Sequence, residues 1–147
     1  MAHKAEIIQA GFADFSKPAT EVELTEILPI IAAANEAIRH LKGWMKKQLV
    51  WPSRMMLGTR GYIQFEPKGR SLIISPWNYP FNLTFGPLIS AIAAGDTAMI
   101  KPSEMTPCAA KIKTKIIEQC FHEDEVALFQ GQADISQALL ALPFDHI

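Results

Sequence analysis

The sequence predicts an α/β fold, a helical arm followed by part of a parallel sheet. Three observations carry this. Short apolar runs at 71–75 (SLIIS), 97–101 (TAMIK) and 126–130 (VALFQ) alternate with stretches of helical character. Such alternation is the pattern of parallel strands joined by right-handed helical crossovers. Upstream, Leu24, Ile27, Leu28, Ile31, Ala34, Ile38, Leu41 and Met45 keep the spacing of one helix face. The pattern changes near residue 68. Residues 1–68 read as a helical arm with a lead-in strand, and 69–147 as an α/β unit.

In the arm, Thr20 with Glu23 fits a capping box, and Glu21, Glu23 and Glu26 suit a positive helix N-terminus. Lys42, Lys46 and Lys47 match the opposite end. Pro29 lies inside this pattern and is expected to break or kink the helix. Trp51-Pro52 is expected to end it. Residues 62–65 read as a strand and 66–69 (EPKG) as a turn. Downstream, a helix is expected over 82–94, and another from Thr106-Pro107, with Thr as N-cap and Pro as first residue. Ile112, Ile116 and Cys120 are expected on its inner face. Asp134 with Gln137 is expected to cap a further helix. The last four residues, 144–147 (FDHI), read as the opening of a fourth strand, so the sheet is expected to be truncated there.

Composition narrows the classes. The 147 residues are 49% hydrophobic, rich for one domain, which hints at apolar surface meant for something else. A net charge of −1 gives no electrostatic reason to expect nucleic acid or an anionic membrane as partner. No apolar run approaches the roughly 18 residues that span a bilayer. The start carries Lys4 and Glu6 and no signal-peptide pattern. Cys108 and Cys120 form neither a CxxC pair nor a disulfide framework, so a reducing, cytoplasmic setting is the default. His3, His40, His122 and His146 show no metal-binding spacing.

The polar residues cluster where strands end, which is where open α/β sheets bind ligands. SLIIS runs into PWNYP (76–80), and TAMIK runs into KPSE (101–104). These two turns, with DFSKP (14–18), EVELTEI (21–27) and the basic HLKGWMKK (40–47), closely resemble the front part of aldehyde dehydrogenases. The resemblance runs from about Ala13 to Ile147 and is nearest the class 3-like branch of fatty and coniferyl aldehyde dehydrogenases. It implies a Rossmann-like cofactor-binding sheet, NAD with NADP possible, a small-molecule aldehyde as substrate, and a homodimeric or homotetrameric parent. Family members are much longer. Their nucleophilic cysteine, general-base glutamate and oligomerisation strand would lie beyond Ile147, so the chain alone is expected to be inactive. The alternative is a non-catalytic fragment or interaction module keeping part of the fold.

Residue by residue, Asn78 matches the family's oxyanion donor. A neutral amide aimed at the aldehyde oxygen stabilises the developing charge, and loss of such a donor costs about 10²–10³ in rate. An Asn between two prolines can also simply fix a turn. Tyr79 would line the aldehyde channel or pack as an ordinary aromatic. Lys101 and Glu104 match cofactor residues. A carboxylate accepts ribose hydroxyls and repels a 2′-phosphate, and a nearby lysine softens that repulsion. Their plain reading is an exposed Lys and a Glu opening a helix. Ile74, Ser75, Pro76 and Trp77 would supply backbone or ring surface on the nicotinamide side. Gly131 permits close backbone approach to the cofactor or ends a strand. No G-x-G-x-x-G occurs, so the ordinary pyrophosphate fingerprint is missing. Cys108 opens a helix, where a thiolate can be stabilised, but it lacks the family's nucleophile context. Cys120 reads as core.

Overall fold

The computed structural model describes residues 2–147. Helix α1 (Lys4–Phe15) opens the chain and closes on Ser16 in the left-handed conformation. A continuous helical rod follows. It comprises α2 (Ala19–Val22), a wider π-helical turn (Glu23–Ile27) and α3 (Leu28–Trp44). Strand β1 (Gln48–Val50) and β2 (Gly61–Ile63) form a small antiparallel hairpin. The α/β part then runs β3 (Arg70–Ile74), α4 (Asn82–Ala94), β4 (Thr97–Lys101), α5 (Pro107–Cys120), β5 (Val126–Leu128) and α6 (Ala133–Leu140).

The sheet has the order β3-β4-β5 and is parallel throughout, as the alternation of strands and helices predicts. Its register pairs Ile73 with Ile100 and Ile100 with Leu128. Those positions share a face by the period-two rule. That face builds a core of Ile73, Ala98, Ile100 and Val126 with Leu88 of α4 and Ile117 of α5. The C-terminal segment returns to the free edge of β3. His146 bridges Ser71 in parallel, and Leu72 N–H donates to the His146 carbonyl at 2.9 Å. This single parallel bridge stands where FDHI is expected to open a fourth strand, and the sheet itself has three.

Several local expectations are corrected. Thr20 does not cap. The helix starts at Ala19 with Pro18 as N-cap and no side-chain cap bond, and Glu23 instead pairs with Lys4 at 2.7 Å. Pro29 does not break the rod. One widened turn precedes it, and the Thr25 carbonyl, which Pro29 has no N–H to serve, accepts from Asn82 Nδ2 at 3.1 Å. The helix stops at Trp44, before Trp51-Pro52, so Lys46 and Lys47 lie beyond its end. Asp134 makes no cap bond, and Gln132 is the N-cap of α6. The buried stripe of α5 is Ala109, Ala110, Lys113 and Ile117, whereas Cys120 is exposed. Helix α1 also packs along α5, so Ala10, Phe81 and Ala109 form a second apolar cluster joining the arm to the α/β part.

Candidate functional site

The site is built on the direction of the strands. From β3 the chain winds to β4 and β5 on one side, and the C-terminal segment returns on the other. The order therefore reverses beside β3. A crevice at the carboxyl ends of strands at such a reversal is the usual ligand position in open α/β sheets. Residues Ser75 to Pro80 leave β3 at that point, and Lys101 to Glu104 leave β4 alongside it. Ser75 N–H donates to the Lys101 carbonyl at 3.0 Å, so the two turns start in register.

Within the first turn, Ser75 and Pro80 are buried, while Pro76, Trp77, Asn78 and Tyr79 are exposed. Ile74, the last residue of β3, is also exposed. The Ser75 and Thr84 hydroxyls share a hydrogen bond of 2.7 Å, and Thr84 donates to the Pro80 carbonyl at 2.6 Å. In the second turn the Lys101 side chain is buried, and its Nζ lies 2.6 Å from Glu104 Oε2. Glu104 remains half exposed, and the lysine holds its carboxyl below the usual carboxylate range, chiefly through that hydrogen bond. The two residues thus meet as a pair, the lysine buried and the carboxylate half exposed. Gly131 follows β5, the strand next to β4. A Cβ there would run into the side chain of Ile135, so in this chain the glycine makes room for the first turn of α6.

The turn carrying Asn78 is clamped by the arm. Glu26, 2% exposed in the π-helical turn, accepts from the N–H groups of Phe81 and Asn82, both at 3.0 Å. It thereby caps α4 from outside the helix, at the end that favours negative charge. Lys17 pairs with Glu26 at 3.2 Å, donates to the Asn78 carbonyl at 2.8 Å and lies 4.4 Å from the Tyr79 ring centroid. Phe15 packs at a tilt on Trp77, with ring centroids 6.2 Å apart. Sequence reading places Lys17 and Glu26 only within motifs or helix ends. The one sequence signal nearby is Pro29, which follows the widened turn that carries the buried Glu26.

Cys108 sits in the first turn of α5, as expected, but its environment is opposite to a thiolate site. Asp14 accepts from the N–H groups of Cys108 and Ala109 at 3.1 and 2.8 Å, caps α5 in place of Thr106, and pushes the thiol pKa up. A large apolar cavity of about 810 Å³ lies elsewhere, between α3, α4 and the outer edge of β3. It includes Ile74 at the end of β3 but none of the turn residues described above, and is not the site of the polar cluster.

The sequence pattern of the aldehyde dehydrogenase family matches residues 1–144. The chain belongs to the aldehyde dehydrogenase family. The match starts at the first residue, so α1 is part of it and the resemblance reaches further upstream than Ala13. The chain is 39% identical over 145 residues to the 4,4'-diaponeurosporen-aldehyde dehydrogenase of Staphylococcus aureus, covering 99% of this chain and 32% of that one. It is 34% identical to the coniferyl aldehyde dehydrogenase of Pseudomonas sp. strain HR199, covering 97% and 29%. These relatives agree with the class 3-like resemblance. The substrate-bound structure of Staphylococcus aureus AldH superposes with a TM-score of 0.95 at 39% identity, over 97% of this chain and 31% of that one. This aldehyde dehydrogenase chain thus spans about a third of the length of its relatives.

Proposed function

We propose that this chain is the N-terminal part of an NAD(P)-dependent aldehyde dehydrogenase, oxidising an aldehyde to a carboxylic acid. Residues 69–147 would be its cofactor-binding part and 1–68 its helical arm. The observation that carries the reading is the meeting of the PWNYP and KPSE turns at the carboxyl ends of β3 and β4, beside the reversal of strand order. The residues present fit a dinucleotide. Glu104 offers an accessible carboxylate for ribose hydroxyls, with Lys101 paired to it, and Ile74, Pro76 and Trp77 offer exposed apolar surface at the neighbouring strand end. The buried Ser75 would contribute through its backbone, and Gly131 would leave the next strand end free of a side chain. The cofactor, when bound, supplies the hydride acceptor for the reaction.

Asn78 would act by polarising the aldehyde oxygen, on a turn fixed by Lys17 and Glu26, and Tyr79 would line the approach. Neither Cys108 nor Cys120 is suited to attack the aldehyde. Asp14 keeps the Cys108 thiol protonated, and Cys120 lies at the far end of α5. The nucleophile would therefore come from the rest of the enzyme. No described helix is long and apolar enough to cross a membrane. A cytoplasmic homodimer or homotetramer is part of this proposal.

The test is Asn78→Ala in the protein that carries this chain. The expected outcome is a fall in kcat of about 10²–10³ with cofactor affinity little changed. An unchanged kcat would leave Asn78 as a turn-forming residue only.

A further inference from the structure

Lys113 is the buried group that the site as described does not use. It lies in the middle of α5, and its side chain is 0% exposed. Its Nζ donates to the Pro80 carbonyl at 3.1 Å and to the Thr84 hydroxyl at 3.2 Å. Pro80 ends the turn that carries Asn78. Thr84 is bonded in turn to Ser75, at the other end of the same turn, by 2.7 Å. One ammonium group therefore holds both ends of the Ser75–Pro80 loop, one directly and one through a hydroxyl. A plain core position would not need this. Its neighbours along the buried stripe, Ala109, Ala110 and Ile117, are apolar, and a methionine or leucine would fill the same space without a polar partner.

The charges facing Lys113 are few. Helix α1 presents Asp14 and the π-helical turn presents Glu26, both favouring the ammonium form. Helix α4 and strand β5 contain no charged residue. Both acids are engaged elsewhere, Asp14 in capping α5 and Glu26 in capping α4 and holding Lys17. Neither forms a direct ion pair with Lys113. Burial accordingly wins, and the pKa falls to about 8.

We propose that Lys113 is a positioning residue for the Asn78 turn, gripping both of its ends while the ammonium is charged and loosening them when it becomes neutral. Charge-assisted hydrogen bonds are about twice as strong as neutral ones, so loss of the proton weakens both links while the side chain stays in place. For catalysis the inference rests on the proposed role of Asn78. For the turn itself it does not, because the effect can be read without cofactor or aldehyde.

Trp77 lies inside the turn and reports on it. The experiment follows Trp77 emission and iodide quenching from pH 6.5 to 9.5 in the complete protein with Trp44, Trp51 and every other tryptophan except Trp77 replaced by Phe. The expected result is a transition centred near the Lys113 pKa of about 8, with higher quenching on the alkaline side. Lys113→Met should abolish the transition and show the alkaline quenching at every pH. Lys113→Arg, charged throughout the range, should abolish it too but keep the low-pH quenching. Thr84→Val keeps the lysine and removes one acceptor, and should move the midpoint downward. Circular dichroism of each variant separates loosening of the turn from loss of fold. A transition of unchanged midpoint and amplitude in Lys113→Met, or none in the parent, would overturn the proposal. In the complete enzyme the same variant should lower kcat roughly tenfold with a smaller change in KM. If the Trp77 transition behaves as expected and kcat does not change, the grip on the turn stands and its link to catalysis falls, the role of Asn78 itself being tested by Asn78→Ala.

Discussion

Single residues decide how firmly the Asn78 turn is held. Glu26 is nearly inaccessible, accepts two backbone N–H groups at the start of α4 and pairs with Lys17. Removing it leaves the Phe81 and Asn82 N–H groups unpartnered and takes the counter-charge from Lys17, which keeps only the Asn78 carbonyl and the Tyr79 ring, a cost of about 3–5 kcal/mol. Glu26→Ala should therefore lower the denaturant midpoint far more than Lys17→Ala, and an equal effect of the two would contradict this account. Lys113 adds a pH term. Its folded pKa of about 8 lies below the ordinary 10.5, so the unfolded chain binds more protons between those values. Stability should rise by roughly 3 kcal/mol from pH 8 to 10.5 as this penalty is relieved, and Lys113→Met should flatten that rise. The buried charge thus costs the whole fold stability while gripping one turn. At Glu104 the proposed role gives a separate expectation. Glu104→Gln should weaken NAD binding and relax discrimination against NADP, because a charged acceptor and its repulsion of phosphate are both lost. Unchanged Michaelis constants for both cofactors would remove Glu104 from the site.

Between elements, helix ends are capped by residues remote in sequence. Asp14 of α1 caps α5, and Glu26 of the rod caps α4. Asp14→Asn removes the negative charge from the α5 N-terminus and should cost about 0.3–1 kcal/mol. It should also lower the Cys108 pKa, so thiol alkylation at pH 8 should accelerate, and a rate equal to that of the parent would refute the influence of Asp14. These distant partners explain what the sequence did and did not disclose. Helix α4 and strand β4 fall where local pattern puts them, because Gly95 and the proline turns bound them by local chemistry. Capping boxes at Thr20 and Asp134 fail because the caps depend on which side chain packing brings near. Strand β1 shows no burial signal, since all three of its residues are exposed. Nothing in the local pattern singles out Lys113, and only tertiary packing buries it and brings it to Pro80 and Thr84. The adjacency of PWNYP and KPSE was legible, because successive parallel strands of equal length that pair in register place their carboxyl ends together.

At the scale of the whole molecule, the chain is a sheet with surfaces still uncovered. Phe65, Leu72, Ile73, Ile74, Pro87 and Ile147 line the 810 Å³ apolar cavity beside β3. The β1–β2 hairpin and its loop expose Leu49, Trp51, Met55, Met56, Leu57 and Tyr62. Contiguous apolar surface on this scale binds partners or drives association. The 147 residues on their own should therefore bind a hydrophobic dye such as ANS and self-associate as concentration rises. They should also show no turnover. The proposed reaction needs a thiolate held within reach of aldehyde and cofactor, and Asp14 opposes thiolate formation at Cys108. The assay is the purified 147-residue chain with NAD and with NADP, against short, long-chain and aromatic aldehydes, repeated with Cys108→Ser. Turnover that vanished in that variant would place the nucleophile in this chain and overturn the division of labour proposed for it. Turnover that persisted in it and vanished in Cys120→Ser would do the same, and absence of turnover throughout is the expected result.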